Sequence, residues 1–160
     1  MYKTAIGQDS HRFEDEGSTK PLMLGGVLIP GCPGLLGNSD ADVVLHALTN
    51  AVSGISGSNI LGSISDDMCL NKGITDSRSY LFAALETLTT FRIVHVSISI
   101  EAKRPKLEPH INAIKSSLAN MLSLDGADIG LTATTGEGLT AFGRGEGMQA
   151  FVIVSAREIR

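Results

Sequence analysis

The chain of 160 residues carries 13 basic and 17 acidic side chains, a formal net charge of −4, with 42% hydrophobic residues and 18 glycines. That length suits one domain, 1–160, able to bury roughly 70% of its unfolded surface, and the acidic balance argues against a general nucleic-acid binder. Cys32 and Cys69 form no CxxC pair, Met1-Tyr2-Lys3-Thr4 lacks the apolar core of a signal peptide, and no run approaches the ~20 apolar residues of a membrane span, so a reducing, cytoplasmic setting is expected.

Residues from about 2 to 8 read as a first strand that closes on Gln8-Asp9-Ser10-His11-Arg12-Phe13. Asp9 and His11 are two apart, so in extended chain they point to one side. The charged loop Glu14 to Lys20 is expected to be mobile. Apolar residues flank the Gly25-Gly26 pair, a hairpin signal that ends at Pro30. The loop Gly31 to Asn38 leads to a helix over roughly Asp40 to Gly54, with Ser39 or Asp40 as its N-cap. Asp42 and His46 are four apart and share a helical face. Alone, the pair also reads as an acid that complements the helix dipole beside a half-buried histidine.

Residues 55 to 76 have no sustained period, and a connection of that length is functional or mobile. A second helix fits Ser77 to Phe91, with Leu81, Ala84, Leu85 and Leu88 on one face. Val94, Val96, Ile98 and Ile100 then alternate with His95, Ser97, Ser99 and Glu101 as a strand with one apolar face. After the basic loop Lys103 to Leu107, Pro109 starts a third helix that runs to about Ser123, with Ile111, Ile114, Leu118 and Met121 at helical spacing. Strands over Ile129 to Thr135 and Met148 to Ala156 bracket two glycine-rich stretches, Gly136-Glu137-Gly138 and Gly143 to Gly147. The order β, β, α, α, β, α, β, β, with the hairpin counted once, predicts an α/β (α+β) sandwich: a small mixed β-sheet with helices packed on one face.

Asp9, His11 and His46 are the strongest chemical set. Two imidazoles and a carboxylate suit zinc and leave a fourth tetrahedral position open; an Asp-x-His pair at a strand end is also ordinary loop hydrogen bonding. In Thr132-Ala133-Thr134-Thr135-Gly136-Glu137, hydroxyls and amides suit phosphate oxygens and Glu137 suits a hard divalent ion; in isolation the same residues read first as a strand followed by a solvated turn. Lys103, Arg104 and Lys106 read first as a solvated loop, and His95 and His110 as structural or surface groups.

Several of these stretches belong together. Gln8 to Phe13, Leu24-Gly25-Gly26-Val27-Leu28-Ile29-Pro30, Gly34 to Val43 with His46, Pro105-Lys106-Leu107, Ala133-Thr134-Thr135 with Glu137, and Gly143-Arg144-Gly145-Glu146-Gly147 occur in this order. In content and spacing they resemble the 2-C-methyl-D-erythritol 2,4-cyclodiphosphate synthases of non-mevalonate isoprenoid biosynthesis, over nearly the whole chain. The resemblance implies a homotrimeric lyase with active sites between subunits. It would cyclise 4-diphosphocytidyl-2-C-methyl-D-erythritol 2-phosphate and release CMP. By the same resemblance Asp9, His11 and His46 hold zinc, and Glu137 holds a second ion, Mg2+ or Mn2+, on the diphosphate. Asn38 and Thr135 would stabilise the transition state. Substrate contacts would come from Asp9, Ser10, His11, Asn38, Ser39, Asn59, Ile60, Leu61, Ile64, Ser65, Asp66, Asp67, Met68, Ala141 and Arg144. Ala102, Lys103, Arg104, Pro105, Lys106, Leu107, Glu108, Ala133, Thr134 and Thr135 would frame the cytidine. Asp42 is expected to support His46 from behind the metal, and Asp40 and Asp42 would oppose a bound phosphate were no cation present.

The chain departs from the family's pattern at named positions. Asn38 stands where histidine is usual; asparagine can donate but cannot become cationic. Asn59 replaces an aspartate and Leu61 a glycine, and Ile64-Ser65-Asp66-Asp67-Met68 replaces Phe-Pro-Asp-Thr-Asp. Thr140-Ala141-Phe142 replaces Gly-Phe-Thr, and Phe151 takes a position often held by glutamate near the trimer axis. Two other readings follow: a non-catalytic trimeric binder or sensor of isoprenoid diphosphates or cytidine nucleotides, and a zinc hydrolase, which would lack an HExxH-type base motif.

Overall fold

β1 (Tyr2–Arg12) is an edge of a four-stranded sheet ordered β1-β6-β4-β5, where β4 is Phe91–Glu101, β5 is Ile129–Thr134 and β6 is Gly147–Glu158. β6 runs antiparallel to both neighbours and β4 parallel to β5, so the sheet is mixed as expected. β2 (Pro21–Leu24) and β3 (Val27–Pro33) form a separate hairpin. The computed structural model describes residues 1–159; Arg160, the last residue of the expected domain, lies outside the described residues.

The alternation of β6 decides which face carries the core. Met148, Ala150, Val152, Val154 and Ala156 are buried, together with Val96, Ile98 and Ile100 of β4. Onto that face pack α1 (Val43–Ser56), α3 (Ser77–Glu86) and α4 (Ile111–Leu122), which contribute Leu48, Val52, Leu81, Ile114 and Leu118 to the same core. Among the described residues no helix covers the opposite face. There Ile6 is paired with Ile153 and Gln8 with Phe151, and Ile6, Phe151 and Ile153 are all exposed.

Several expected boundaries move. β1 continues to Arg12, because His11 and Arg12 keep pairing with Met148 and Gly147. β4 starts at Phe91, where the second helix was expected to continue; α3 stops at Glu86. A bulge between Ile93 and His95 puts Ile93 in the core and leaves Val94 only half-buried. Residues 55 to 76 contain the end of α1, the short α2 (Ser63–Asp66) and a π-helical turn, Asp67–Asn71. α4 is entered through a 3-10 turn, Glu108–His110, with Pro109 where a missing N–H costs least.

The N-cap of α1 is Asp42, not Ser39 or Asp40. Its carboxylate accepts from the Leu45 amide at 3.0 Å and from the Gly25 and Gly26 amides at 2.9 and 2.7 Å. Gly25 and Gly26 have φ of 59° and 77°, the left-handed pair a tight hairpin turn needs. Burial pushes the fully enclosed Asp42 carboxyl up while these three amides pull it down. One side chain thus ties the hairpin tip to the start of α1.

Candidate active site

Asp9 and His11 lie on the same side of β1 as Gly7, the side that faces α1. That helix comes very close: a Cβ on Gly7 would meet Ala47 O at 2.0 Å, and one on Gly54 would meet the Ala5 Cβ at 2.9 Å. The close approach brings His46, in the first turn of α1 and only 8% exposed, over the end of β1.

Three donor atoms meet there. Asp9 Oδ2 is 2.8 Å from His11 Nε2 and 3.1 Å from His46 Nδ1, and the two ring nitrogens are 3.3 Å apart. A tetrahedral zinc with bonds of 2.0–2.1 Å has edges of about 3.3–3.4 Å, so the three donors need open by at most about 0.6 Å to hold the ion. The residue types fit as well: one hard carboxylate and two imidazoles, with room left for an external ligand. Among the described residues this is the one group of three such side chains.

The two rings are held from behind by different partners. His11 Nδ1 is 2.9 Å from the Leu36 carbonyl, which can only accept, so that nitrogen carries the proton and Nε2 is turned to the site. His46 Nε2 is 2.8 Å from the Ser77 hydroxyl, which turns Nδ1 to the site. Burial would raise the Asp9 carboxyl, but hydrogen bonds and charge from His11 and His46 hold it down at about 2. Burial opposes charge on His11, yet Asp9 raises its pKa above the usual 6.5 in the metal-free chain.

The expected support of His46 by Asp42 is not present. Asp42 reaches His46 only through the backbone, where the His46 amide donates to its carbonyl at 2.9 Å, because its carboxylate is taken by three other amides. Asp40 likewise spends its charge internally, on Ser77 and on the Asp42 amide. Both carboxylates are engaged by groups of the chain itself.

A cavity of about 270 Å³ opens beside the three donors, lined by His11, Gly37, Asn38, Ser39, His46, Leu61, Ser65, Asp66, Cys69 and Tyr80. It thus gathers Asn38, Ser39, Leu61, Ser65 and Asp66 of the expected substrate residues. Ser39 Oγ accepts from the Ala41 amide at 3.1 Å, and the Ser65 hydroxyl is bonded to Gly62. Asn59 and Ile64 are exposed and Met68 packs at the margin of the core. Ile60 turns into the core, and its carbonyl accepts from the Ser65 amide at 3.0 Å. Asp67 is bonded to Lys72 and Asn71, 3.1 and 2.9 Å away. Ser10 and Ala141 line a second groove with Arg12, Phe142 and Glu146, which His11 also borders. Arg144 is paired with Glu146 at 3.0 Å.

The remaining set lies at the ends of β4 and β5. Ala133 and Thr134 end β5, and Thr135 precedes the 3-10 turn Gly136–Gly138 that carries exposed Glu137 at φ 50°. Ala102 and Leu107 are buried; the Ala102 amide donates to Thr134 O at 3.0 Å. Lys103, Pro105 and Lys106 form the loop between them, and Lys106 pairs with Glu108 at 3.3 Å. Arg104 pairs with Glu16 at 2.7 Å and lies 4.7 Å from the Phe13 ring. Within one chain β6 and β4 separate Ala133 to Glu137 from Asp9 and His11, about 14 Å at ordinary strand spacing, whereas Ala102 to Glu108 follow β4, one strand nearer, and Arg104 reaches back to Phe13, just past the end of β1.

Sequence reasoning did not single out Ser77, Cys69 or Tyr80. Ser77 stood only as the start of a helix, and nothing in its spacing ties it to His46. Cys69 donates to the Asn38 carbonyl at 3.2 Å and Tyr80 to the Ile74 carbonyl at 2.5 Å, so both brace the cavity wall.

Comparison with known proteins gives one answer throughout. The sequence model described as "YgbB family" matches residues 2–157. The 2-C-methyl-D-erythritol 2,4-cyclodiphosphate synthases of Chlamydia felis and of Chlamydia trachomatis serovar L2b are 43% and 45% identical over 159 residues, 99% of this chain and 90% and 89% of theirs. A solved structure of a 2C-methyl-D-erythritol-2,4-cyclodiphosphate synthase in a CDP-bound form is 35% identical, with a TM-score of 0.78, covering 97% of this chain and 100% of that one.

Proposed function

The chain belongs to the YgbB family, and we propose that it is a 2-C-methyl-D-erythritol 2,4-cyclodiphosphate synthase, a lyase of isoprenoid biosynthesis. The observation that carries this reading is the convergence of Asp9, His11 and His46 on one point beside a cavity lined by Asn38, Ser39 and Asp66.

The reaction joins two groups of one substrate. An oxygen of the 2-phosphate attacks the β-phosphorus of the diphosphate, a P–O bond forms, and the bond to the departing CMP breaks with CMP taking the electron pair. The nucleophile is already ionised near neutral pH, so the protein need supply no serine or cysteine. The obstacle is repulsion between two anions. Zinc at Asp9, His11 and His46 and a magnesium or manganese ion at Glu137 would supply the positive charge that offsets it.

The chain's own residues bind and orient. Asn38 and Ser39 hold the cavity wall beside His46, with the Asn38 amide available as a donor to a phosphoryl oxygen. Asp66 would accept from the methylerythritol hydroxyls. Thr135 would donate to the phosphates next to Glu137, and Ala102 to Glu108 with Ala133 and Thr134 would frame the cytosine. Fixing both reacting groups in one geometry removes the entropy a free encounter would cost.

A homotrimer with sites between subunits fits this division. The uncovered sheet face bears Ile6, Phe151 and Ile153 and offers an apolar surface to a second copy. The metal donors lie on the β1 edge and Ala133 to Glu137 at the end of the β5 edge, so one copy's β1 edge could meet another's β5 edge. Among the described residues no helix is long and apolar enough to cross a membrane; a cytoplasmic setting is part of the proposed reading.

The non-catalytic sensor is not favoured, since Asp9, His11, His46 and Glu137 are all kept and the relatives are named as synthases. The deciding experiment supplies the diphosphocytidyl substrate with zinc and magnesium and follows CMP and the cyclic diphosphate. Both are expected. Zinc uptake with no CMP would overturn the enzymatic reading, and elution at 16.8 kDa would overturn the shared site.

A further inference from the structure

We propose that Ser77 and Asp40 are positioning residues for the metal, fixing the tautomer and ring orientation of His46 so that its Nδ1 faces Asp9 and His11. The inference rests on the assignment of Asp9, His11 and His46 as metal ligands.

The polarity of the contacts is determined atom by atom. Ser77 is wholly buried at the first residue of α3, and its hydroxyl has one proton. That proton goes to the Asp40 carboxylate, which can only accept. Ser77 Oγ must therefore accept from His46 Nε2, 2.8 Å away, so Nε2 carries a hydrogen, which the more distant Ser39 Oγ at 3.4 Å can share as a second acceptor. Asp40 is itself immobilised. It accepts from the Ser77 and Asp42 amides, each at 3.1 Å, and its own amide donates to Thr75 O at 2.9 Å. The chain reads His46 Nε2–H to Ser77 O–H to Asp40 carboxylate.

The effect on the metal follows from the imidazole. A ring that donates toward a carboxylate gains electron density at its other nitrogen, and a ring held at both ends loses no rotational freedom on binding. The two histidines reach the same end by opposite tautomers. His11 is backed by a fixed carbonyl, while His46 is backed by a hydroxyl and a charge on two different elements, the loop before α1 and the start of α3.

The experiment is a zinc competition titration against a chromophoric chelator near neutral pH, on the full-length protein and its Ser77→Ala and Asp40→Asn variants. Asp40→Asn keeps the shape of the side chain. Each variant is expected to weaken zinc binding about 10–100-fold, and the double variant to be no weaker than the weaker single one, because both interrupt one chain of bonds. In the zinc-loaded wild type, nitrogen-labelled histidine should show a His46 Nε2–H that exchanges slowly with solvent, and Ser77→Ala should lose it. Wild-type zinc affinity in both variants overturns the proposal. So does a loss of affinity matched by an equal loss of thermal stability in the metal-free protein, which would place the pair in folding alone. A wild-type chain that takes up no zinc overturns the ligand assignment instead, and the proposal with it.

Discussion

A Cβ on Gly7 would stand 2.0 Å from the carbonyl oxygen of Ala47, so the backbone of α1 lies directly on β1 at this point. The contact lies beside the donors: Ala47 directly follows His46, and Gly7 is two residues from Asp9. Gly7→Ala therefore must push the helix off the strand. We expect a loss of about 3 kcal/mol, at the upper end for overpacking because both clashing groups are backbone, or roughly 6–12 °C in Tm. Zinc stoichiometry should fall with it, since His46 moves relative to Asp9. Thermal melts and metal analysis check both, and an unchanged Tm would show that the helix can give way freely.

Asp42 acts on a different quantity. Asp42→Ala removes the N-cap of α1, about 1 kcal/mol, and strands the Gly25 amide without its acceptor, about 1–3 kcal/mol more. Its carboxylate touches no metal donor. Urea unfolding should show the loss of about 3 kcal/mol, while the folded fraction still binds zinc near the wild-type affinity. Weakened zinc binding at unchanged stability would reverse this assignment.

Asn38 lines the cavity with its carbonyl held by Cys69, and among the described residues its side-chain amide forms no hydrogen bond. If its amide donates to the reacting phosphoryl oxygen, Asn38→Ala should lower kcat about 100-fold with zinc content unchanged, the usual cost of one such donor. Asn38→His restores a donor and should keep turnover close to wild type. Steady-state kinetics on the two variants decide the matter: full activity in Asn38→Ala removes Asn38 from the reaction.

The Asp9–His11 pair makes the stability of the metal-free protein depend on pH. Asp9 is depressed to about 2, so its contribution is present above the unfolded value of 3.8 and lost as pH falls toward 2. His11 is raised above 6.5, so its contribution is complete below 6.5 and lost as pH rises through the folded value. With a chelator present, Tm should therefore decline on going from slightly acidic to mildly alkaline pH. With zinc present the trend should reverse, because the metal competes with the His11 proton. Melts across that range, with His11→Asn as the control, test the sign; a chelated protein whose decline survives in His11→Asn would trace it to another group.

Much of this protein is legible in its residues because the information is local. Period-2 and period-3.6 patterns placed the strands and helices, the Gly25-Gly26 pair placed the hairpin, and the Asp-x-His spacing put two donors on one side of β1. Boundaries failed where tertiary pairing overrode local preference: β4 recruits Phe91 from an apparently helical run because β6 offers it Glu158, and a bulge exchanges Val94 for Ile93.

What the chain could not declare by itself are relations between side chains far apart in sequence. Asp42 shares a helical register with His46, yet it binds the hairpin, and the support for His46 comes from Ser77 and Asp40. Nothing in spacing distinguishes those partners, because hydrogen bonds across 31 residues are chosen by how α1 and α3 pack on the sheet. The sequence determined the donor types and the elements that carry them. Only the tertiary structure decided which atom of each faces the metal position, since a tautomer is set by whatever the opposite ring nitrogen touches.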